Sequence, residues 1–408
     1  MNSNLVSALV LSALLAGSVP VKGADQPCTP ESVRSVRGSW SRTADVIVGP
    51  VISAYEVQAL LGSLQAYHDL LQKALPSPEG FNVVSYSSVR GDPLVQNGPQ
   101  AFEATAGMYR LVCTNGTVGM ATEYAGQMAI MANDVWHMSG IGRFDIGGKK
   151  ALALGSPIGS IRGYPAFEPE FSSPLSGTIN VYEWVVLVAR PGQSPFRYVT
   201  RKEMLDHMRA VCEKDRVQAL AIADEANPIR PQAVQDAAKA KGLQEWVASA
   251  KDEQQRQRWT ERYLSDYRTD EQKRAAARAK TNAGFDAFLA RLKTIESRYG
   301  AAQLQEPALL NDPTATLHAR PNFDFAPPKG DRHTCTISCG GPHGKPLVVA
   351  DERYFHGTAA RSAPQFFTVS FRWSAPRQDK YRDAKFEQVR DDFFKGFDFS
   401  ALAGMLAK

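Results

Sequence analysis

The spacing of apolar residues along the chain changes several times, and each change predicts a different kind of structure. In residues 51–75 apolar side chains recur at every third or fourth position, which places them on one face of a helix. Residues 81–190 instead contain short apolar runs separated by turn-forming residues, and Asn115-Gly116 between two runs is a strong hairpin signal. Helical spacing returns over residues 200–300.

The second helical stretch begins at a clear capping signal and carries a high density of charge. Thr200 followed by Glu203 forms a capping box, in which each side chain accepts the other residue's backbone N–H, and Thr269 with Gln272 repeats the motif. Residues 251–300 contain 12 Lys or Arg and 8 Asp or Glu around a narrow apolar stripe. Such a stripe is typical of a projecting helical hairpin that is exposed on most faces.

Together these segments predict an α+β protein: an antiparallel curved sheet with packed helices, plus a long helical-hairpin arm. Further patterned segments lie near the C-terminus: residues 335–337, 347–350 and 366–373 as strands and residues 385–394 as a helix. These strands are too few to bury both faces of a sheet alone. We therefore predict a discontinuous body from residues 24–200 and 315–408, and a helical arm from residues 200–305.

The N-terminal residues predict export. Residues 5–16 form an apolar run, and residues 17–23 supply a helix-breaking turn and the small or aliphatic residues that signal peptidase requires. The run is too short to anchor the chain in a bilayer about 30 Å thick. We expect residues 1–23 to be a cleaved signal peptide and the protein to be periplasmic or extracellular. The next apolar run, residues 181–189, has strand length, so no transmembrane segment is expected in the mature chain.

The distribution of charge argues against a nucleic-acid partner. The formal net charge is +5 at pH 7, and its excess is spread along the chain, with no basic arm. The Gly-x-Ser-x-Gly and His-Glu-x-x-His motifs of common hydrolases are absent from the sequence. The sequence therefore identifies no catalytic residue, and we expect no cofactor.

The chain contains five cysteines, which in an exported protein are candidates for disulfide bonds. Because the number is odd, at least one thiol stays free or pairs with another molecule. Cys212 is the expected odd residue, since its helical neighbourhood is apolar. A bridge between Cys28 and Cys113 would tie down the start of the mature chain, but spacing alone leaves the pairing of Cys28, Cys113 and Cys212 open.

The densest group of reactive side chains comprises His333, Cys335, Cys339 and His343. Two thiolates and two imidazoles could form a tetrahedral site for zinc or copper, although the spacing differs from that of common zinc motifs. A local disulfide between Cys335 and Cys339, closing a Gly-rich loop, is the favoured interpretation in an oxidising compartment. Bridges from these cysteines to distant ones are the third alternative.

One segment resembles a group of uncharacterised exported bacterial proteins. Residues 195–205 read Pro-Phe-Arg-Tyr-Val-Thr-Arg-Lys-Glu-Met-Leu. In those proteins a similar Pro-Phe-x-x-Val-Thr-Arg-x-Glu-Tyr-Leu motif leads from a strand into a long helix, and here Met204 replaces the Tyr. Residues 351–355 and 362–365 also look similar to their later half. The resemblance implies a strand followed by a long helix, and it implies no activity.

The helical arm also carries a row of aromatic residues. Trp259, Tyr263 and Tyr267 follow one another at four-residue steps. Such a stripe usually packs inside a hairpin, and an exposed one would form a partner-binding face. We expect an exported, non-catalytic binding or envelope-associated protein whose helical arm is a surface for a protein partner. The alternative is an exported metal-handling or hydrolytic protein with its site at residues 333–356.

Overall fold

The computed structural model describes residues 28–29, 31–49, 52–90, 94–95, 98–138, 144–169, 179–310, 345–355, 360–376 and 384–407. The chain divides into two compact units. The sheet unit comprises Met1–Arg197 and Val348–Lys408, and the helical unit comprises Tyr198–Leu347. Within the described ranges, no helix is both long enough and apolar enough to cross a membrane.

The strands, in chain order, are β1 (Trp40–Val48), β2 (Phe81–Arg90), β3 (Ala101–Thr114), β4 (Thr117–Ala132), β5 (Phe144–Ile146), β6 (Lys149–Ala153), β7 (Ser156–Ile161), β8 (Tyr164–Glu168), β9 (Ile179–Val188), β10 (Phe196–Tyr198), β11 (Leu309–Leu310), β12 (Lys345–Ala350) and β13 (Phe367–Pro376). The helices are α1 (Ala54–Ala74), α2 (Arg201–Ala226), α3 (Gln232–Val247), α4 (Glu253–Asp266), α5 (Asp270–Glu296), α6 (Ala301–Leu304), α7 (Ala384–Gly396) and α8 (Phe399–Ala403). Short 3-10 helices occur at Ser32–Ser35, Trp136–Met138 and Glu352–Tyr354.

The sheet unit is built on an eight-stranded sheet with the strand order β1-β2-β3-β4-β13-β9-β8-β7. Its neighbouring strands run antiparallel except for β1, which pairs in parallel with β2. Strand β13 lies between β4 and β9, with Thr368 opposite both Met131 and Leu187. Because the sheet is mostly antiparallel and its strands do not alternate with helices along the chain, the predicted α+β class is confirmed.

Strand β1 is the element that the sequence pattern missed. Its residues are exposed or half-buried in an order that lacks the two-residue alternation of a strand with one buried face. It lies at an edge of the sheet, where only β2 supplies backbone hydrogen bonds. Every side chain of β1 is at least partly exposed, so periodicity alone gives no signal here.

The predicted hairpin at Asn115-Gly116 is confirmed. Both residues have positive φ, 53° for Asn115 and 77° for Gly116, and they join β3 to β4 as a two-residue turn. A disulfide joins Cys113 beside this turn to Cys28, with the two Cα atoms 5.7 Å apart. The Cys28 backbone N–H also donates to the carbonyl of Gly116 over 3.2 Å. Residue 28 is therefore fixed to the hairpin by a covalent bond and a hydrogen bond.

One face of the eight-stranded sheet packs against α1, α7 and α8 and forms the main core. Its fully buried large side chains include Leu64, Tyr67, Leu71, Phe102, Phe367, Phe371, Phe386, Phe393 and Trp373. Tyr67 of α1 stacks on Phe102 and meets the edge of Phe367, so the helix contacts two different strands through one ring. The buried face is formed largely by aromatic and aliphatic carbon, which makes apolar burial its main stabilising contribution.

The start of α1 differs from the predicted one. The apolar pattern begins at Val51 after Pro50, but the helix begins at Ala54. Ser53 accepts the backbone N–H of Glu56, and the Glu56 carboxylate accepts the backbone N–H of Ser53 in return. This capping box satisfies N–H groups that the first turn leaves unpaired, so the cap determines where the helix begins.

In the helical unit, α2 and α5 form the principal helix pair. Both predicted capping boxes, Thr200 with Glu203 and Thr269 with Gln272, are confirmed. The apolar contact between the helices centres on Leu205, Leu292 and Ile295, with Met204, Met208, Phe288 and Leu289 around them. Cys212 is buried and is the free cysteine among the described residues. Burial raises the pKa of its thiol to about 11, which keeps the sulfur protonated at neutral pH.

A polar network fixes the start of α3 to the start of α5. Arg230 binds Asp270 through two parallel hydrogen bonds of 2.7 and 2.9 Å. The buried Gln235 accepts the backbone N–H of Asp270 over 2.9 Å and donates to the carbonyl of Arg230 over 2.9 Å. The bond from Arg230 lowers the pKa of Asp270 to about 2, so the pair stays ionised across the neutral range.

Candidate functional site

The residues that the sequence analysis selected as a disulfide or metal site lie outside the described residues. His333, Cys335, Cys339 and His343 all fall in the range 311–344. The Cys335–Cys339 bridge and the alternative metal site therefore stay predictions. Asp351, at the edge of this region, caps a 3-10 helix and binds Arg353 over 2.7 Å. Where the structure describes the chain, no group of three or more His, Cys, Asp or Glu is arranged to hold a metal ion.

The aromatic row of the helical unit holds α3 to α4. The Tyr263 hydroxyl donates to the carbonyl of Lys239 over 3.2 Å, and the Tyr267 hydroxyl donates to the carbonyl of Gln235 over 3.3 Å. Trp246 lies 6.3 Å from the Tyr263 ring, between ring centroids, and is 49% exposed. Tyr263 and Tyr267 therefore form a half-buried seam between the two helices. Trp246 of α3, beside Tyr263, faces solvent.

The helical unit exposes large apolar side chains elsewhere as well. They include Val217 and Ile222 on α2, Ile229 in the following connection, Val234 and Trp246 on α3, and Leu264 on α4. Val217 is 71% exposed and Ile222 is 58% exposed. Helix α4 contributes no buried residue. A contiguous exposed apolar patch is a feature of protein interaction surfaces, whereas these side chains are spread over three helices and the connection between two of them.

Ion pairs and a narrow apolar seam hold α2 to α5. Arg209 pairs with Glu296, and Arg216 pairs with Asp286, each joining α2 to α5. Arg278 of α5 binds Asp224 of α2 over 2.6 Å. These contacts use the facing sides of the two helices. Val217 lies on the side of α2 that points away from the Leu205 and Cys212 positions, as the helical periodicity requires.

A second group of chemically capable side chains lies on the sheet unit. Glu103 of β3, Glu183 of β9 and Arg372 of β13 alternate along their strands with the main-core residues, so they point to the opposite face of the sheet. Asp134 and His137 follow β4 and join these residues. His137 contacts Glu183, and Asp134 contacts Arg90, which also binds Glu103. The three carboxylates and His137 are buried, and Arg372 is half-buried.

Arg90 connects two carboxylates of this buried polar cluster. Its guanidinium NH2 group donates to both oxygens of Glu103 over 3.2 Å, and its Nε lies 3.6 Å from Asp134. The Ser88 hydroxyl donates to Glu103 over 2.6 Å. The carboxylate of Glu103 thus accepts three hydrogen bonds, from Arg90 and Ser88, in place of the water that burial removes.

His137 and Glu183 form a buried ion pair within the same cluster. His137 Nδ1 contacts a carboxylate oxygen of Glu183, and the two side chains are 5% and 0% exposed. Burial by itself lowers the pKa of a histidine, but the negative charge of Glu183 outweighs it, so the pKa of His137 is raised. Arg372 lies directly opposite Glu183 in the β13–β9 register and supplies a second positive charge beside it.

A histidine held by a carboxylate at Nδ1 is the arrangement that orients a general base. In this structure both partners are buried, and the contact fixes the 3-10 helix Trp136–Met138 on β9. His137 and Glu183 are far apart in the sequence. Only the pairing of β13 with both β4 and β9 brings the end of β4 near Glu183, and no local spacing reports such an arrangement.

Comparisons with models of protein families, with curated proteins and with solved structures find no match for this chain.

Proposed function

We propose that this protein is an exported, non-catalytic binding or envelope-associated protein whose helical unit docks an acidic protein partner. The observation that carries the proposal is the set of exposed apolar side chains on the helical unit, among them Val217 at 71% and Ile222 at 58% exposure on different sides of α2. Covering such side chains releases about 25 cal/mol for each Å² of apolar area removed from water. Apolar anchors surrounded by polar and charged residues are the usual composition of a binding surface.

The helices that follow α2 carry the charge that favours an acidic partner over a basic one, since α2 itself has 5 Lys or Arg and 6 Asp or Glu. Residues 251–300 contain 12 Lys or Arg against 8 Asp or Glu. Arg258, Arg268 and Lys280 are exposed in this range. A partner with complementary negative charge would associate faster and would be selected against basic competitors. Because exposed charges are screened by salt, the association rate is expected to fall as ionic strength rises.

Site-specific photocrosslinking in the producing cell tests this docking surface. A photoreactive residue is placed at Ile222 or Trp246 of the helical unit, and at Tyr55 or Tyr124 of the sheet unit as matched exposed controls. We expect discrete adducts with one and the same protein from Ile222 and Trp246 and none from the controls. Adducts of equal yield from all four positions, or none from Ile222 and Trp246, would contradict the proposal.

Purified components then test the chemistry of the contact. The partner identified by crosslinking is titrated with the wild type, with Val217→Asp and Ile222→Asp, and with Tyr124→Asp as the control at a similarly exposed position. We expect at least tenfold weaker binding for the first two variants, since each adds a charge to an apolar contact and repels an acidic partner. Unchanged Kd values for Val217→Asp and Ile222→Asp would contradict the assignment of these residues to the docking surface.

Export is tested separately from docking. The signal-peptide prediction requires that the mature chain begins at Ala24, after removal of residues 1–23. Intact-mass measurement of the protein from periplasmic and culture fractions is expected to give this shortened chain. Recovery of the full-length chain in the cytosolic fraction alone would refute export while leaving the docking test valid.

A further inference from the structure

The sheet unit contains an open cavity of about 330 Å³ where three of its elements meet. The C-terminal end of α1, the turn between β7 and β8, and the junction of α7 with α8 form its walls. Its lining residues are Lys73, Arg162, Tyr164, Lys395, Gly396, Phe397, Asp398, Phe399 and Ser400. None of these residues belongs to the buried polar cluster or to the helical unit.

The cavity is fixed by close backbone contacts. A Cβ atom on Gly396 would lie 2.5 Å from the carbonyl oxygen of Ala74, so α7 can end against α1 only with glycine at this position. Arg162 has φ of 53° and Gly163 has φ of 84°, which makes the β7–β8 turn a tight two-residue one. The Arg162 guanidinium donates to the carbonyl of Lys395. One of its N–H groups is used in this bond, and the guanidinium is held in place at the cavity wall.

The charges around the cavity have an excess of positive sign. Lys73, Arg162 and Lys395 come from three elements, and Asp398, the carboxylate in the lining, lies 4.0 Å from the Lys73 ammonium, so the positive excess comes from Arg162 and Lys395. Asp398 is also engaged as the N-cap of α8, where it accepts the backbone N–H of Ala401 over 2.9 Å. The C-terminal ends of α1 and α7 contribute partial negative charge, equivalent to about half a charge each. Asp398 and the two helix ends offset part of the positive charge, and the remaining excess favours the binding of one anion.

The remaining wall is aromatic. Tyr164 stacks on Phe399 with ring centroids 5.5 Å apart, and Phe397 lies 4.8 Å from Phe399. Phe397 and Phe399 are 4% and 3% exposed, so the rings are supported from behind by the main core. Tyr164 is half-buried and is the ring of this wall that a ligand can contact, so the site suits a ligand with an anionic group and a compact ring or carbon skeleton.

We propose that this cavity binds a small ligand through a phosphate group, with Arg162 as the principal anion-binding residue and Lys73 and Lys395 as supporting charges. The phosphate can belong to a soluble phosphorylated molecule or to the headgroup of an anionic lipid, and both present the same tetrahedral oxyanion. Arg162 supplies directed donors, while the two lysines contribute charge that is screened by salt.

Calorimetric titration of the full mature chain tests the site at constant ionic strength. The probes are inorganic phosphate, glucose 1-phosphate and, as the uncharged control, glucose, and vesicles with and without phosphatidylglycerol test the lipid source. We expect saturable binding of glucose 1-phosphate or of the anionic vesicles, and none of glucose or of uncharged vesicles. The proposal would be overturned if the protein bound neither glucose 1-phosphate nor the vesicles that contain phosphatidylglycerol.

Variants separate a specific site from general attraction to positive charge. Arg162→Gln is expected to weaken binding at least tenfold, and Lys395→Gln, at an exposed position, at least threefold. Arg353→Gln is the matched control, because Arg353 is an exposed arginine of the same unit that pairs with Asp351. Equal binding by Arg162→Gln and Lys395→Gln, or equal weakening by Arg353→Gln, would overturn the site. If Arg162→Gln fails to fold, the comparison of Lys395→Gln with Arg353→Gln decides alone.

Discussion

Two buried histidines of the sheet unit experience opposite electrostatic environments. His68 on α1 is buried beside Ser87, with its Nε2 2.9 Å from the Ser87 hydroxyl. Burial, assisted by the positive charge of Arg42, lowers the pKa of His68 to about 4. The negative charge of Glu183 acts in the other direction on His137 and raises its pKa despite burial. The environment therefore favours the neutral form of the same residue type at one position and the protonated form at the other.

These shifts predict that the folding stability is highest near neutral pH. For His68 the unfolded chain binds a proton below about pH 6.5 while the folded protein does not, so stability is lost as pH falls from about 6.5 toward 4. For His137 the stabilisation is complete below about pH 6.5 and is lost as pH rises through the raised folded pKa. Chemical denaturation at a series of pH values measures the free energy of unfolding as a function of pH, with an acidic limb due to His68 and an alkaline limb due to His137.

Single substitutions assign the two limbs. His68→Gln is expected to flatten the acidic limb, and His137→Gln the alkaline limb, each without changing the other. Glu183→Gln removes the charge that raises the pKa of His137, so it is expected to flatten the alkaline limb as well. An alkaline limb that persists unchanged in both His137→Gln and Glu183→Gln would show that another group is responsible.

The predicted Cys335–Cys339 bridge also belongs to the residue scale. A bridge across so few residues restricts the unfolded chain little, so its loss is expected to lower the free energy of unfolding by about 2 kcal/mol or less. Thiol titration of the oxidised, denatured protein should detect Cys212 and neither Cys335 nor Cys339. Stoichiometric zinc or copper bound to reduced Cys335 and Cys339 would instead support the metal-handling alternative.

At the scale of elements, the helix boundaries are set by caps more than by apolar periodicity. Thr200 accepts the backbone N–H of Glu203 over 3.1 Å, and Glu203 accepts the backbone N–H of Thr200 over 2.9 Å. The same reciprocal bonds occur at Ser53 and at Thr269. In each case the cap satisfies N–H groups that the first helical turn leaves unpaired.

Removing a cap is therefore expected to lower the free energy of unfolding. Thr200→Ala should lower the free energy of unfolding by about 1 kcal/mol, since it removes the side-chain acceptor at the start of α2. Thr200→Ser keeps the acceptor and is the matched control, expected to lie within a few tenths of a kcal/mol of the wild type. Equal destabilisation by Ala and Ser, measured by urea denaturation, would show that the methyl group and not the cap is responsible.

At the scale of the whole molecule, the chain is organised by contacts between residues that are distant in sequence. Strand β13 completes the centre of the eight-stranded sheet after the chain has passed through the helical unit. The Cys28–Cys113 disulfide spans a separation of 85 residues and ties the first described residue to the β3–β4 hairpin. Strand β13 connects the two parts of the sheet unit across the long insertion, and the disulfide connects residues that both precede it.

The disulfide should contribute more stability than the short bridge predicted at residues 335 and 339. Closing a loop of this length removes more freedom from the unfolded chain, and loss of the bridge in Cys28→Ser/Cys113→Ser is expected to cost about 2–4 kcal/mol. Cys335→Ser/Cys339→Ser is the matched control and should cost less. The measurement is denaturation under non-reducing conditions, and a smaller loss for the Cys28 pair than for the control would contradict the assignment.

How much the sequence determines depends on the range of the interaction. Local signals predicted the α+β class, the hairpin at Asn115-Gly116, and the caps at Thr200 and Thr269, because each depends on residues within a few positions of one another. The start of α1 was misplaced because Pro50 drew the boundary ahead of the Ser53 cap. Edge strand β1 was missed because it lacks the alternation that one-sided burial creates.

Only the tertiary structure decides the features that depend on distant partners. It selects Cys28 and Cys113 from pairings that spacing left open, because the hairpin brings their Cα atoms to 5.7 Å. It joins His137 to Glu183, and it gathers Lys73, Arg162 and Lys395 around one cavity. In each case the residues belong to elements brought together by packing, and packing depends on the shapes of whole surfaces, which local periodicity does not record.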